Sequence, residues 1–152
     1  MTITEQKAAQ RKAGIAARRA LSDTERTRSN AALCARIMAL DCFKKAENIL
    51  LYAAFGGEAD LSALAVEAAR QGKTLAYPVC GEGFSLTAAV PGPDGWEVGL
   101  YGIRTPILSR SAVLPPDKLD LVLVPCTAFD TACRRVGMGK GYYDRYLPCC
   151  TR

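Results

Sequence analysis

A β-α-β pattern near the middle of the chain limits its possible folds more than any other feature of the sequence. Ile49–Phe55 is an apolar run of strand length. Asp60 is a suitable N-cap for a helix over Leu61–Gln71, and Thr74–Val79 follows as a second strand-like run. Because the strands of such a unit are parallel and joined by a right-handed crossover in almost every known case, the pattern predicts an α/β fold.

Two further segments predict how the sheet is completed. Leu119–Val124 is an unbroken apolar run that ends at Pro125, which is typical of a central strand covered on both faces. Phe84–Ala89 can form another strand, whereas Trp96–Ile107 is predicted to be irregular. The expected architecture is a three-layer sandwich in a single domain over residues 1–152, with a largely parallel central sheet and helices on both faces.

A basic N-terminal helix is predicted ahead of this sheet. Thr4–Leu21 contains no proline and is rich in Ala, Lys, Arg and Gln. Ser22–Glu25 is a capping box that opens a second helix, which is expected to run to about Leu40. Within this second helix Leu33, Ile37 and Leu40 repeat at helical spacing, so we expect them to contact the core.

Composition excludes several classes of chemistry. The chain has no histidine, which removes Ser-His-Asp and Cys-His catalysis and most catalytic zinc sites. Its seven cysteines lack C-x-x-C spacing, so we expect reduced thiols in a cytoplasmic protein. The adjacent Cys149 and Cys150 are either a redox-active pair or part of a reduced tail. No apolar run approaches the ~20 residues that span a bilayer, so no membrane association is expected.

Charge is distributed unevenly along the chain. The net charge is +5, and both ends are basic while the middle is acidic. Lys7, Arg11 and Arg18 lie on one face of the N-terminal helix, where like charges repel. This stripe is either a solvated face or a surface against which an anion lies. The basic ends suit a nucleotide phosphate better than a nucleic acid, because the chain lacks the interleaved aromatic residues of a single-strand-binding surface.

Three alternating glycines follow the last apolar run. Gly137, Gly139 and Gly141 let backbone amides approach a ligand closely, and a helix beginning near Tyr142 would add the amides of its first turn. The spacing matches neither the Walker loop nor the dinucleotide-binding fingerprint. On pattern alone, a mobile glycine loop and a phosphate cradle are therefore both open.

Charged side chains near these glycines are suited to anion and metal binding. Lys140 supplies a point charge, Arg135 offers a planar fork for phosphate oxygens, and Asp144 offers a hard oxygen ligand for Mg²⁺. Glu58 follows the first predicted strand at the carboxyl edge of the sheet, where ligands of open α/β sheets usually bind. It either contacts a ligand there or satisfies local backbone amides.

A longer string around the glycines resembles a known family signature. The residues from Val124-Pro125 through Phe129-Asp130 to Arg135–Asp144 resemble the signature of the 5-formyltetrahydrofolate cyclo-ligase family, whose members are also called methenyltetrahydrofolate synthetases. The resemblance extends over nearly the whole chain and includes Arg19-Ala20-Leu21-Ser22, Gly57-Glu58, Gly72-Lys73 and Tyr101-Gly102-Ile103.

The resemblance implies an enzyme that uses ATP and Mg²⁺ to cyclise 5-formyltetrahydrofolate to 5,10-methenyltetrahydrofolate, with ADP and phosphate as the other products. In that family ATP phosphorylates the formyl oxygen, N10 attacks the activated carbon, and phosphate leaves. Such chemistry suits a chain without histidine, because phosphoryl transfer relies mainly on positioning and charge stabilisation. The implied partner is a small folate, not a nucleic acid or a membrane. We expect a cytoplasmic monomer, unless an exposed sheet edge promotes self-association.

Position by position, the resemblance assigns roles to individual residues. Lys140 and Arg135 are the implied catalytic groups, and Asp144 is the implied Mg²⁺ ligand. The implied ATP contacts are Lys7, Arg11, Arg135, Val136, Gly137, Met138, Gly139, Lys140, Gly141, Tyr142 and Tyr143. The implied folate contacts are Glu58, Tyr101, Met138, Gly139, Lys140, Gly141 and Tyr142.

The chain departs from the family pattern in four places. Met138 stands where the family often has Arg, Cys133 replaces a Gly that reaches positive φ readily, and Arg104-Thr105-Pro106 lacks an acid. The sequence ends at Arg152, before further strands and a second acidic metal ligand found in family members. We therefore expect that it closes its sheet differently, takes an edge from a partner chain, or binds ATP or folate without turnover.

Overall fold

The fold is built on a five-stranded mixed sheet. The computed structural model describes residues 1–150. Within them the strands are Asn48–Leu50 (β1), Thr74–Cys80 (β2), Leu86–Pro91 (β3), Trp96–Val98 (β4), Arg104–Pro106 (β5), Ser111–Val113 (β6), Leu121–Val122 (β7), Ala128–Phe129 (β8) and Arg135–Val136 (β9). The α-helices are Ile3–Ala20 (α1), Asp23–Ala39 (α2), Asp41–Lys45 (α3), Ser62–Arg70 (α4) and Tyr142–Tyr146 (α5). The main sheet has the strand order β6-β3-β2-β1-β7.

Strand direction divides this sheet into two halves. β1 pairs in parallel with β2 and with β7, whereas β3 pairs antiparallel with β2 and with β6. The predicted largely parallel sheet is therefore wrong for the half formed by β3 and β6. β2 and β3 are joined by the short loop at 81–85, and a loop of that length can connect only antiparallel neighbours. The loop turns at Gly83, which has a φ of 64°.

The predicted β-α-β unit is confirmed, with shorter limits. β1 and β2 are parallel, and α4 lies between them in the chain. The ladder of β1 ends at Leu50, although the apolar run continues to Phe55. α4 begins at Ser62, whose amide donates a hydrogen bond of 2.9 Å to Asp60 Oδ1. Asp60 therefore helps to cap the helix, as its residue type predicts.

β7 lies at an edge of the sheet, which corrects the prediction that Leu119–Val124 forms a central strand. Within residues 1–150, β7 pairs only with β1. Leu119 is buried, whereas Leu121 and Val122 are half-buried. An apolar run shows that side chains meet a core, but it cannot show how many strands lie beside it.

A hairpin formed by β4 and β5 occupies the segment that was predicted to be irregular. Trp96 of β4 pairs with Pro106 of β5. The Trp96 ring packs edge-on against Tyr77 with the ring centres 4.7 Å apart, and the Arg104 guanidinium lies 4.4 Å from the Trp96 ring centre. These tertiary contacts order a segment that has little periodic pattern of its own.

Side chains on the two faces of β1 belong to two separate cores. Ile49 packs with Phe43 and Leu64, on the face covered by α2, α3 and α4. Leu50 belongs to a second cluster that includes Tyr146 of α5. Helices therefore cover both faces, as predicted, because successive residues of a strand point to opposite sides of the sheet.

Helix α2 meets the core through Cys34, which was not predicted, and through Ile37, which was. Cys34 is the buried residue of α2, and Ile37 is partly buried against the same cluster. Leu33 is 37% exposed and Leu40 is 52% exposed. The expectation that Leu33 and Leu40 contact the core is therefore wrong, because the face that α2 presents to Phe43 is centred on Cys34.

Both N-terminal helices begin with a capping box. Thr2 and Glu5 exchange side-chain and backbone hydrogen bonds at the start of α1, and Ser22 and Glu25 do the same at the start of α2, as predicted. In the described part of the chain, no helix is both long enough and apolar enough to cross a membrane.

Helix α1 packs against the β8–β9 hairpin at Gly14. A Cβ added at Gly14 would overlap the backbone carbonyl oxygen of Thr127. Thr127 is buried, and its own amide and hydroxyl both donate to the carbonyl of Val136, each at 2.8 Å. The close approach of α1 to this hairpin therefore requires glycine at position 14.

Gly14→Ala is expected to destabilise the protein by about 1–3 kcal/mol, because the methyl group must push α1 away from Thr127. Helix propensity alone would change stability in the opposite direction, by about 1 kcal/mol in favour of alanine. Urea unfolding checks the sign of the change. Ala17→Gly, at an exposed position of the same helix, is the control and should cost about 1 kcal/mol. A stabilised Gly14→Ala variant would contradict this packing.

Candidate functional site

The glycine loop, Gly137–Gly141, connects β9 to α5. β8 and β9 pair antiparallel just before it. Gly139 has a φ of 96° and Gly141 a φ of 74°, values that residues with a Cβ rarely adopt. Two of the three alternating glycines are therefore required by the backbone conformation itself.

Helix α1 brings Arg11 to this loop. Arg11 Nε donates to the carbonyl oxygen of Gly137 at 2.8 Å. The guanidinium group also lies against Gly139, where an added Cβ would be 3.2 Å from Arg11 Cζ. Lys7, which was predicted beside Arg11, lies one helical turn earlier in α1 with its side chain exposed. The N-terminal helix and the glycine loop are thus adjacent although more than a hundred residues separate them.

Asp144 offers one carboxylate for a metal ion. Its Oδ1 pairs with Arg135 Nη2 at 2.8 Å, and the side chain of Asp144 is 76% exposed whereas that of Arg135 is 23% exposed. Among residues 1–150, no group of three or more His, Cys, Asp or Glu side chains is placed to hold a metal ion. Mg²⁺ commonly binds through one or two carboxylates together with a substrate's phosphates, so this donor set fits an ion shared with a nucleotide.

Lys140 is exposed at the tip of the glycine loop. Its Nζ lies 6.0 Å from the centre of the Phe84 ring, and within the described residues it forms no salt bridge. The cation is therefore free to meet an anion that enters the loop. Val136, also predicted in this site, uses its carbonyl group to accept the two hydrogen bonds from Thr127.

Glu58 lies in a tight turn directly after the apolar run of β1. The Glu58 amide donates to the carbonyl of Phe55 at 3.1 Å, and Glu58 Oε2 accepts from the Phe55 amide at 3.1 Å. Gly56 and Gly57, between them, have φ values of 58° and 82°. The glycine pair is thus needed for a turn that folds the carboxylate back over its own backbone.

Burial raises the pKa of Glu58 above its ordinary value, and the Phe55 amide and Arg18 oppose that rise only in part. The carboxylate lines a groove of about 660 Å³ between α2 and the segment that follows β7. Arg18 lies in the same groove and donates to the carbonyl of Cys126. Tyr52 donates to the carbonyl of Ala59 at 3.0 Å. A half-buried carboxylate in such a groove is suited to accept hydrogen bonds from a ligand.

The side chain of Tyr143 carries a buried hydroxyl group. Its oxygen is buried and makes no hydrogen bond within residues 1–150. Burial raises the pKa of Tyr143, and the neighbouring Cys80 and Glu58 raise it further. The Tyr143 hydroxyl is therefore an unused donor in the first turn of α5, directly after the glycine loop.

Tyr142 connects the glycine loop to the hairpin formed by β4 and β5. A hydrogen bond with Tyr101 raises the pKa of Tyr142 to about 12. The Tyr142 ring also packs edge-on against Phe84, with the ring centres 5.7 Å apart. Tyr101 adopts a φ of 62° in the hairpin turn and is exposed. The structure thus brings Tyr101 beside the loop.

Two departures from the family pattern can be located. Cys133 adopts a φ of 62°, so the cysteine reaches the conformation for which glycine would have been expected. Asp130 braces this turn, since its Oδ1 accepts from the amides of Ala132 and Arg134 at 3.0 Å each. Met138 is exposed in the glycine loop and supplies no charge there.

Two residues at this site were not predicted. Phe84 approaches the loop from the β2–β3 connection, and Arg145 follows the loop in α5. No sequence signal indicates Phe84, because only the tertiary fold brings it to the glycines. Arg145 lies four residues after Gly141, a helical spacing that could have indicated contact with the loop.

Comparisons with known proteins identify the family. The family model described as the 5-formyltetrahydrofolate cyclo-ligase family matches residues 3–152. A 5-formyltetrahydrofolate cyclo-ligase of Haemophilus influenzae is 35% identical over 107 residues, which are 68% of this chain and 57% of that protein. One from Escherichia coli is 30% identical over 133 residues, which are 86% of this chain and 73% of that protein.

Solved structures agree with this match. The NMR structure of Aquifex aeolicus 5,10-methenyltetrahydrofolate synthetase superimposes with a TM-score of 0.80 and 35% identity, covering 94% of this chain and 72% of that one. A 5,10-methenyltetrahydrofolate synthetase from Mycoplasma pneumoniae has the same fold, with a TM-score of 0.76. The matched part of this chain covers between 57% and 79% of the length of these relatives. Because the family model matches almost all of its residues, the chain belongs to the 5-formyltetrahydrofolate cyclo-ligase family.

Proposed function

We propose that this chain catalyses the ATP-dependent cyclisation of 5-formyltetrahydrofolate to 5,10-methenyltetrahydrofolate, with release of ADP and phosphate. The observation that carries the proposal is the contact of Arg11, from the N-terminal helix, with the glycine loop, which contains Lys140 and is followed by Asp144. A loop with two positive-φ glycines beside several cations suits an ATP triphosphate.

The phosphate end of the reaction relies on charge and position. Arg11, Arg135 and Lys140 lie around the loop and would bind the phosphate oxygens as negative charge builds up during transfer. The formyl oxygen attacks the γ-phosphorus and ADP leaves. N10 of the folate then attacks the formyl carbon, the bond from that carbon to oxygen breaks, and phosphate departs with the former formyl oxygen. N10 loses its proton, and the methenyl bridge results.

The folate end of the site is supplied by the turn after β1 and by the tyrosines. Glu58 would accept hydrogen bonds from the aminopyrimidine edge of the pterin, since its carboxylate is half-buried beside the groove. Tyr142 and Tyr101 would form an aromatic wall next to the loop. The buried hydroxyl of Tyr143 would supply a further hydrogen-bond donor next to the glycine loop. Together these groups would hold the formyl group next to the γ-phosphate and exclude water from it.

Asp144 is the residue that would hold Mg²⁺ together with the nucleotide. When bound, the ion neutralises charge on the β- and γ-phosphates. Because Asp144 also pairs with Arg135, its carboxylate would help to keep that guanidinium near the phosphate oxygens. Arg135 additionally lies 5.8 Å from the ring centre of Tyr143, which limits its movement.

Asp144→Asn is expected to raise the Mg²⁺ concentration needed for half-maximal turnover by about tenfold, because an amide oxygen binds a divalent cation more weakly than a carboxylate does. Titration of turnover with Mg²⁺ at saturating ATP measures the change. Asp41→Asn, which removes an exposed carboxylate paired with Lys44 at 3.6 Å, is the control and should leave the requirement unchanged. An unaltered Mg²⁺ requirement in Asp144→Asn would remove Asp144 from the metal site.

The proposed function itself is tested by the near-ultraviolet absorbance of the methenyl product. Purified protein should raise that absorbance only when 5-formyltetrahydrofolate, ATP and Mg²⁺ are all present. Calorimetry with ATP and with the folate accompanies the assay. Binding of either ligand without turnover would indicate a non-catalytic binding protein, and a steeply salt-dependent affinity for RNA with no folate binding would indicate a nucleic-acid-binding protein.

A further inference from the structure

We propose that Arg145 is a positioning residue that sets the glycine loop for ATP by holding its carbonyl groups. Arg145 acts through the loop backbone and touches neither the folate nor the reacting atoms. This inference rests on the proposed function, because the ligand of the loop is taken to be the ATP triphosphate. It adds a residue outside the set that sequence resemblance assigns to the site.

The first observation is that two successive carbonyl groups converge on Arg145. Arg145 Nη1 donates to the carbonyl oxygen of Lys140 at 3.0 Å and to that of Gly141 at 3.1 Å. The backbone amide of Arg145 also donates to Gly141, at 3.2 Å. One side chain therefore satisfies the last two carbonyl groups of the loop, where the chain enters α5.

Holding these carbonyl groups also sets the direction of the amides. In a trans peptide the C=O and N–H of one unit point in opposite directions. Carbonyls of Lys140 and Gly141 that face Arg145 therefore turn the amides of Gly141 and Tyr142 away from it. Gly141 is left-handed and Tyr142 is helical, a sequence of conformations in which successive amides form an anion-binding concavity. Within residues 1–150 neither of these two amides donates to a protein acceptor.

Arg11 acts in the same way at the other end of the loop. Its Nε holds the carbonyl of Gly137, which turns the amide of Met138 in the opposite direction. The loop is thus held by a carbonyl-binding arginine at each end. Both arginines use neutral backbone acceptors, so their geometry does not depend on a bound anion.

The second observation is that an aromatic ring lies against the Arg145 side chain. Its Cζ lies 5.4 Å from the centre of the Phe84 ring, and the same ring packs against Tyr142. Phe84 is held at a φ of 57°, an unfavourable conformation for a residue with a side chain. A Cβ at Gly141 would lie 2.5 Å from Arg145 Nη1. The guanidinium therefore occupies the space beside Gly141, where the φ of 74° already favours glycine.

The test compares Arg145→Met, which keeps the apolar stem without donors, with Arg145→Lys and with Arg134→Met. Arg134 is exposed and carries the same charge near the loop, and among the described residues its side chain bonds only to Asp130, so it is the matched control. Arg145→Met should weaken MgATP binding in calorimetry about tenfold. The KM for 5-formyltetrahydrofolate should change less than twofold. Arg145→Lys should recover part of the ATP affinity, because one donor can still reach a carbonyl group.

The outcomes separate this inference from the proposed function. If wild type binds MgATP and turns over, and Arg145→Met binds MgATP equally well, the positioning role is overturned while the function stands. Equal losses in ATP and folate affinity would also overturn it, because they would indicate general damage. If wild type binds no ATP, the proposed function is wrong, and so is the assignment of ATP as the ligand of the loop. Phe84→Leu, which removes the ring beside Arg145, should weaken ATP binding in the same selective way if Arg145→Met proves too unstable to assay.

Discussion

Replacing Lys140 with alanine is expected to lower kcat by about 100- to 1,000-fold, the range found when a preorganised charge or donor is removed from a transition state. Lys140 is exposed at the glycine loop, and its Nζ lies near the Phe84 ring rather than in a salt bridge with another described residue. In the proposed reaction its ammonium group would be available to the transferred phosphoryl group, where negative charge increases. Single-turnover kinetics with saturating ATP and folate would measure the loss directly.

Stability separates a catalytic role of Lys140 from a structural one. Because the side chain is exposed and makes no protein hydrogen bond within residues 1–150, Lys140→Ala should change the free energy of unfolding by less than about 0.5 kcal/mol. Lys12→Ala removes the same charge from an exposed position of α1 and should leave kcat within twofold. A Lys140→Ala enzyme with normal kcat, or one whose activity falls in parallel with its folded fraction, would contradict the assignment.

Glu58→Gln is expected to raise the KM for 5-formyltetrahydrofolate by about 10- to 100-fold, since a hydrogen bond to a charged acceptor contributes roughly 1.5–3 kcal/mol. The substitution keeps the size of the side chain and one oxygen that can accept from the Phe55 amide. It removes the negative charge that would accept hydrogen bonds from the pterin. KM for ATP should stay within twofold, because Glu58 lies in the turn after β1 and not in the glycine loop.

Glu58→Gln should weaken folate binding but should not lower the stability of the fold at neutral pH. Burial raises the pKa of Glu58, so the folded state binds the proton more tightly than the unfolded state does. The stability that this carboxyl group contributes is present at acidic pH and is lost as the pH rises through its folded pKa. At neutral pH the wild type therefore carries a desolvated charge that the glutamine variant lacks, and the variant should be equally stable or more stable.

Urea unfolding at acidic and at neutral pH checks this sign. The stability of Glu58→Gln relative to wild type should increase with pH, while Glu97→Gln, at an exposed position of β4, should show no such trend. A large loss of stability in Glu58→Gln would show that the carboxylate is needed for the turn at Gly56 and Gly57. An unchanged KM for the folate would remove Glu58 from the substrate site.

Local features of the sequence predicted the elements that depend on neighbouring residues. The capping box at Ser22 and the alternation of strand and helix around α4 depend on contacts within a few residues, and the structure has them. The glycine loop belongs to the same class, because positive φ at Gly139 and Gly141 is a property of the residue type. Resemblance of the string around this loop was enough to identify the family.

Strand direction and strand neighbours could not be predicted in the same way. The sequence pattern of β3 is compatible with either direction, and the antiparallel pairing follows from the short connection at 81–85. The Leu119–Val124 run meets a core on both faces, as predicted, but within residues 1–150 only β1 pairs with its strand. The β4–β5 hairpin depends on contacts of Trp96 with Tyr77 and Arg104, which lie on other parts of the fold or across the hairpin.

The sequence by itself determined the β-α-β unit, the two N-terminal helices with the capping box of the second, and the presence of the glycine loop, because each depends on residues close together in the chain. The tertiary structure alone decided which groups surround that loop. Arg11 reaches Gly137 only because α1 packs against the β8–β9 hairpin at Gly14. Phe84 reaches Arg145 only because β2 and β3 turn back beside α5. Contacts between distant segments depend on how the elements pack, and no local pattern records that packing.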